Sequence, residues 1–501
     1  MIVHIDGNVN RYYVQMLCMV FFPGSTFGEE ETPREGIPEV DVTVYPDEGN
    51  SCTAYVRMSL NDRTCEATET VSYEEPITIA THEAIAVGRA IFATGKELIG
   101  HIPPWGILTG IRPAKVAGGL LHNGRGINRA KKILRDEYFV NPQKAALAVS
   151  VAVTENKLMK KVPKNSCSLY ISIPFCPSRC AYCSFVSYTN QKLLSLIDEY
   201  IDCLIADIKD TFKTIRQLGL RLFTIYIGGG TPTILSPKQL EKLLKTINKL
   251  TFEDEVYEFT LEAGRPDTIT KEKLAVAKKY GVTRVSVNPQ TLSDDILREI
   301  GRRHTVEDFY RAYKIAKESG IRDINIDLIA GLPGDDFRNF SETVDRIIEL
   351  APTNITVHTF CVKKAADVLR TTSSVYSSHG GDASKSVAYS QLKAKFAQYR
   401  PYYMYRQKNT VGNLENVGFS VEGHEGIYNV LMMEEKQTIF AVGAGSVTKL
   451  IKRSADGEVL LKRIFQPKYP YEYLRDAKKN RDGTQDKKST RQVIIEFLSN
   501  E

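Results

Sequence analysis

Residues 168–183 read Ser168-Leu-Tyr-Ile-Ser-Ile-Pro174-Phe-Cys176-Pro-Ser-Arg-Cys180-Ala-Tyr-Cys183. An apolar, β-branched strand runs directly into three cysteines within eight residues. From this point short strands alternate with helical stretches. The strands read as Ser168–Pro174, Phe223–Gly228, Tyr257–Glu262, Arg284–Val287, Asp323–Ile329 and Asn354–Phe360. Helical periodicity falls between them at Gln191–Gln217, Lys238–Leu250, Lys271–Tyr280, Val306–Glu318 and Phe340–Leu350. Six such repeats predict an α/β fold with a parallel sheet and helices outside it. A closed barrel needs eight, so the expectation is a partial six-repeat (β/α) barrel. Ligands of such folds sit at the carboxyl ends of the strands, which is where the cysteines fall.

The 501 residues exceed the needs of this core and suggest further domains. Residues 1–165 read as an N-terminal α+β domain, 166–365 as the barrel, 366–475 as a C-terminal α+β extension on the substrate side and 476–501 as a tail. Within the first domain Ile2–Asp6, Tyr12–Phe22 and Cys52–Leu60 read as strands, with an acidic loop at Ser25–Asn50. Glu83–Ile99, Pro113–Leu121, Asn128–Tyr138 and Pro142–Met159 read as helices. Strands are expected near Tyr402–Arg406 and Thr438–Val442, and a helix at Lys385–Tyr399. The stretch Asp476–Lys488 reads as loose, with a short helix at Val493–Leu498. A hydrophobic fraction of 42% is enough for a sizeable core and excludes a disordered chain or a small disulfide scaffold. The net charge of +6 is a weak bias and does not argue for nucleic acid or membrane. Twelve basic residues against three acidic ones between Arg112 and Lys164 read as solvated helix faces, or as a docking surface for an acidic partner. Tyr12–Phe22 is too short to span a bilayer and no small-residue cleavage site follows it. The expectation is a cytoplasmic protein whose nine cysteines are thiols or metal ligands.

Three cysteines this close together are useful as metal ligands. A structural zinc site takes four N or S ligands, whereas this stretch offers three, and no histidine lies between His122 and His304. Three thiolates on a four-iron cluster leave one iron without a protein ligand, an open position for chemistry. Cys176, Cys180 and Cys183 are therefore the candidate metal ligands. Cys18, Cys52, Cys65, Cys167, Cys203 and Cys361 are isolated and read by default as buried thiols. Other candidates stand at later strand ends. Gly228-Gly-Gly-Thr-Pro232 follows the second strand, where glycines let the backbone approach a ligand. Glu262 ends the third strand and Gln290 the fourth. Arg302 stands in Ile-Gly-Arg-Arg, and Asp327 in Asn-Ile-Asp-Leu-Ile-Ala-Gly-Leu-Pro.

C-x3-C-x2-C after a barrel strand resembles the signature of the radical S-adenosylmethionine superfamily. The resemblance implies a [4Fe–4S] cluster whose open iron chelates the amino and carboxylate groups of S-adenosylmethionine, and an electron that cleaves the sulfonium to a 5′-deoxyadenosyl radical. The whole set resembles the oxygen-independent coproporphyrinogen III oxidase family. By that resemblance Tyr170, Tyr182, Gly229, Gly230, Thr231, Glu262, Gln290, Arg302 and Asp327 contact S-adenosylmethionine, and Cys361 stands where the family has a small residue at the cofactor. Pro103-Pro-Trp-Gly-Ile-Leu-Thr-Gly-Ile-Arg-Pro113 and Tyr405-Arg-Gln-Lys-Asn-Thr-Val-Gly-Asn-Leu-Glu-Asn416 look like the HemZ branch. One departure stands out: the dehydrogenases carry a fourth Cys two residues after the third, and Phe185 stands here, as in the haem chaperone branch.

Two functions follow from the resemblance. The first is an oxidoreductase of anaerobic haem biosynthesis that decarboxylates coproporphyrinogen III to protoporphyrinogen IX, with a reduced flavodoxin- or ferredoxin-type protein as electron donor. The second is a haem carrier, or another radical reaction on a tetrapyrrole. A radical enzyme acting on RNA fits the cysteine spacing and strand-end residues less well. Substrate propionates need cations, for which Arg112, Lys363, Lys364 and Arg406 are candidates.

Overall fold

The structure, a computed structural model, describes all residues except 28–35, 48–49, 75–79, 111, 184, 186, 362–380, 408–409, 455–457, 482–488 and 500–501. The N-terminal part is built from β1 (Ile2–Asp6), α1 (Arg11–Phe21), β2 (Glu39–Asp47), β3 (Ser51–Leu60), β4 (Arg63–Ser72) and α2 (His82–Ile99), followed by α3 (Pro113–His122), α4 (Ile127–Asp136) and α5 (Pro142–Met159). Its four strands lie in chain order in one sheet, with β1 parallel to β2 and the rest antiparallel.

Two expectations for this part are corrected. Tyr12–Phe22 is not a strand: α1 occupies it. Val14, Leu17, Cys18 and Phe21 are buried at helical spacing, and the Asn10 side chain accepts from Tyr13 N at 3.1 Å as an N-cap. A run that is apolar at every position but Gln15 carries no clear period of its own, so the buried face and the cap decide it. The Ser25–Asn50 stretch is not all loop either: β2 occupies Glu39–Asp47, with Val40, Val42 and Val44 buried in strict alternation.

The remainder carries the larger sheet. In chain order it comprises β5 (Ser166–Ile173), α6 (Gln191–Leu194), α7 (Ile197–Gln217), β6 (Arg221–Gly229), α8 (Pro237–Leu250), β7 (Glu258–Glu262), α9 (Lys271–Lys279), β8 (Arg284–Ser286), α10 (Asp294–Glu299), α11 (Val306–Glu318), β9 (Asp323–Ala330), α12 (Phe337–Glu349) and β10 (Asn354–Thr359). There follow α13 (Gly381–Phe396), β11 (Arg400–Arg406), β12 (Glu415–Ser420), α14 (Ile427–Glu434), β13 (Ile439–Val442), β14 (Val447–Arg453), β15 (Val459–Phe465), α15 (Pro470–Arg481) and α16 (Thr490–Ser499). The six expected strands, β5 to β10, are parallel neighbours in sequence order. The sheet does not close into a ring. Strand β13 adds to β5 in parallel, and antiparallel pairs extend both sides, giving the order β11-β12-β10-β9-β8-β7-β6-β5-β13-β14-β15. Strands β5, β9 and β10 are buried almost throughout, as expected for strands covered on both faces. The stretch expected to be loose begins inside α15, and residues 482–488 lie outside the described residues. Among the described residues no helix is long and apolar enough to cross a membrane.

The N-terminal helices are fastened to the edge of this sheet. Helices α3 and α5 pack on β11. The fully buried Glu415 accepts from Trp105 Nε1 at 2.9 Å, Lys144 Nζ at 2.5 Å and Gln391 Nε2 at 2.6 Å. Burial raises the Glu415 pKa, but Lys144 and the two other donors outweigh it, and the net shift is downward. A carboxylate whose folded pKa is depressed contributes stability above the ordinary carboxylate range and loses it as pH falls. Lys144→Met leaves this charge buried without its cation and is expected to cost about 3–5 kcal/mol, read as a lower urea midpoint at neutral pH. The Lys144→Met/Glu415→Gln pair should recover much of that loss, and a single variant with the wild-type midpoint would rule out this brace.

Candidate functional site

The cysteine loop is folded by its own backbone. It leaves β5 at Ile173 and returns at Tyr188, whose N donates to Pro174 O at 2.9 Å and whose O accepts from Cys176 N at 3.0 Å. Cys176 and Cys180 are buried and Cys183 is half-buried. Burial raises the thiol pKa of Cys176, against the Thr231 hydroxyl 3.3 Å from its sulfur. Burial likewise raises Cys183, against the Phe185 backbone N–H. A thiol must lose its proton to ligate a metal, and burial at Cys176 and Cys183 works against that loss.

The glycine run lies against this loop. Gly230 N donates to Ile173 O and Thr231 N to Phe175 O, both at 2.8 Å. A Cβ on Gly230 would stand 2.5 Å from Phe175 O and 3.0 Å from Cys176 Sγ. Gly229 has φ +108°, a conformation open to glycine. The closest approach that Gly230 permits is thus to the protein's own cysteine loop, a use that the sequence reading had given to a ligand.

Acidic and polar groups converge from the neighbouring strand ends. Glu262, at the end of β7, accepts from the Tyr226 hydroxyl. Burial pushes its pKa up to about 7, with the Tyr226 bond acting downward and the charge of Asp327 adding to the rise. Asp327 is half-buried, and His358, Asn325 and Thr356 outweigh the effect of burial and hold it below its usual value. Asn288 Nδ2 and Asn325 Nδ2 each donate to its carboxylate at 2.7 Å. Gln290 has φ +73°, a costly conformation for a residue with a Cβ. Its backbone bonds Asp327 O and Ile329 N, while its buried Oε1 has no partner. Arg302 donates to Asn288 O at 2.7 Å, and to Gly264 O and the Tyr182 hydroxyl at 3.3 Å.

All thirteen residues singled out from the sequence line one cavity of about 570 Å³: Cys176, Cys180, Cys183, Tyr170, Tyr182, Gly229, Gly230, Thr231, Glu262, Gln290, Arg302, Asp327 and Cys361. Sequence reasoning missed others on the same wall. Tyr170, Tyr226 and Tyr428 stack in series, with centroids 6.0 and 4.5 Å apart. The Tyr428 hydroxyl is buried without a partner. Asn288, His358 and Arg265 were also missed; the visible signals were Arg265 three positions after Glu262 and the Tyr-rich β11. Two propionate candidates are corrected. Arg112 is spent on Met433 O and on Glu435 at 2.8 Å, and Arg406 on Leu108 O and Asn413 at 2.5 Å; neither lines the cavity. Lys363 and Lys364 lie outside the described residues.

The cavity fits a cluster with a polar, nucleoside-bearing ligand beside it. The thiols stand at one end, and the unpartnered Gln290 oxygen is a ready acceptor. Among the described residues no three His, Cys, Asp or Glu side chains converge as on a single ion, and one thiol per iron of a cluster requires no such convergence.

The radical SAM superfamily profile matches residues 170–347. The chain is 37% identical over 376 residues to the oxygen-independent coproporphyrinogen-III oxidase-like protein HemZ of Bacillus subtilis, covering 74% of each. It is 38% identical over 197 residues to the heme chaperone HemW of the same organism, covering 39% of this chain and 51% of that one. It is 28% identical over 190 residues to an oxygen-independent coproporphyrinogen III oxidase of Cereibacter sphaeroides, covering 38% and 41%.

Cys180→Ser is expected to abolish iron retention after anaerobic reconstitution, whereas Cys203→Ser, at a buried position of α7, should retain the full complement. Gly230→Ala should lower iron content as well, because its new methyl presses on Cys176 Sγ. Full iron in Cys180→Ser would overturn the ligand assignment.

Proposed function

Because this chain belongs to the radical S-adenosylmethionine family of oxygen-independent coproporphyrinogen-III oxidase-like proteins, we propose that it decarboxylates coproporphyrinogen III to protoporphyrinogen IX. The observation that carries the reading is the placing of three thiols, two half-buried carboxylates and a stacked tyrosine wall around one cavity. Members of the superfamily use a [4Fe–4S] cluster and S-adenosylmethionine. When bound, these supply a carbon radical able to take hydrogen from an unactivated C–H bond, which no side-chain acid or base can do.

The residues have distinct parts in this proposal. Cys176, Cys180 and Cys183 hold the cluster. Gly229, Gly230 and Thr231 line the cavity beside S-adenosylmethionine and fix the cysteine loop through Gly230 N and Thr231 N. Glu262 and Asp327 accept from its hydroxyl or ammonium groups, and the unpartnered Gln290 oxygen takes a further donor. Arg302 fixes the Tyr182 ring. Tyr170, Tyr226 and Tyr428 present flat aromatic surface to a tetrapyrrole. Arg265, Arg284 and Arg302, the arginines on the described wall, already bond protein groups. The free Tyr428 hydroxyl is therefore the donor we assign to a propionate. Converting one propionate to a vinyl group removes carbon dioxide, one hydrogen atom and one electron, so an oxidant accepts that last electron. A reduced flavodoxin- or ferredoxin-type protein is the donor that starts the reaction, and a cytoplasmic setting suits such partners.

A second reading, haem carriage, is favoured by Phe185, which stands where the dehydrogenases have a fourth Cys and is 67% exposed. Anaerobic incubation with dithionite, S-adenosylmethionine and coproporphyrinogen III separates the two. The proposal expects 5′-deoxyadenosine together with a product lighter by two carbon dioxide and two hydrogen molecules. Stoichiometric haem binding without 5′-deoxyadenosine would establish the carrier instead.

Glu262 gives a pH test. Its pKa is raised to about 7, so the carboxylate is lost as pH falls through that value. S-adenosylmethionine affinity measured by calorimetry should weaken from pH 8 to pH 6. Glu262→Gln should bind weakly at both, with that pH step removed.

A further inference from the structure

Arg265 follows β7 and has no part in the roles above. Its Nη1 lies 3.0 Å from Cys180 Sγ, and its Nη2 donates to Ser178 Oγ. The side chain is 4% exposed. Its backbone carbonyl is fixed by Thr268, through N at 3.0 Å and Oγ1 at 2.8 Å. Its Nε has no hydrogen-bond partner and faces Asp267 at 3.6 Å, an ion pair beyond bonding distance. A guanidinium charge thus sits buried against one cluster-ligand sulfur, offset by a carboxylate that is 24% exposed.

We infer that Arg265 sets the reduction potential of a cluster held by Cys176, Cys180 and Cys183, raising it by donating a charged N–H to the Cys180 sulfur. The inference rests on the cluster reading above. When the cluster gains one electron from an external reductant of the dithionite class, no bond or proton changes place, and the thiolate sulfurs become more negative. A cation in a low-dielectric site stabilises the reduced form more than the oxidised one. Hydrogen bonds to ligand sulfur act in the same direction. Arg265 is therefore a positioning and tuning residue, acting through Cys180.

The test is a mediated dithionite titration of anaerobically reconstituted protein, followed by electron paramagnetic resonance, with iron measured on each sample. Arg265→Gln should raise the oxidised-to-reduced ratio at fixed potential about tenfold, a shift of ~59 mV to more negative values for one electron. Arg265→Lys should recover part of the shift. Asp267→Asn, which removes the offsetting charge and touches no cysteine, should move the potential the other way. A fully loaded Arg265→Gln protein with the wild-type potential would overturn the inference. Where Arg265→Gln loses iron, an unchanged potential in loaded Asp267→Asn overturns it. Wild-type protein that retains no iron would instead remove the cluster reading.

Discussion

The site depends on two backbone hydrogen bonds, from Gly230 N to Ile173 O and from Thr231 N to Phe175 O. They hold the turn after β6 against the loop after β5, so that the second strand end buttresses the cysteines. The contact is possible because position 230 has no side chain: a methyl there would meet the Phe175 carbonyl oxygen and the Cys176 sulfur. With the loop fixed, each further parallel strand delivers one polar group to the same edge. Glu262 comes from β7, Gln290 from beyond β8 and Asp327 from β9.

The same edge is braced from the other side by the N-terminal helices. Glu415, gripped by Trp105, Lys144 and Gln391, precedes Asn416, whose side-chain oxygen accepts from Thr359 N at 2.8 Å. Asn416 and Thr359 both line the cavity. A buried ion pair between distant parts of the chain thereby reaches the cavity wall through one residue, which links N-terminal packing to the shape of the cavity.

Much of this was legible in the sequence because parallel strands carry a strong local signal. Val, Ile and Leu runs separated by amphipathic helices place β5 to β10, and a residue at a strand's carboxyl end must face the ligand side. The pairs that were missed are non-local. Nothing in Tyr226 or Arg265 taken alone distinguishes them from core or surface residues; their roles arise from Glu262, 36 positions on from Tyr226, and from Cys180, 85 positions before Arg265. The error at α1 has another cause. Tyr12–Phe22 is apolar on nearly every side, and the choice of helix lies in a cap and a tertiary face. Arg112 and Arg406 were offered to the substrate on charge alone, whereas packing uses Arg112 to join the N-terminal region to the end of α14 and Arg406 to join it to the edge strand β11.

The central claim is that the cysteine loop and the strand-end residues together hold S-adenosylmethionine against the open iron. Electron–nuclear double resonance on the reduced cluster, with S-adenosylmethionine labelled with ¹⁵N at the amino group and ¹⁷O at the carboxylate, tests it most directly. The account predicts hyperfine coupling from both labels in the wild-type protein, and its loss in Glu262→Gln at concentrations that saturate the wild type. A loaded cluster whose spectrum is unchanged by saturating labelled S-adenosylmethionine would contradict it.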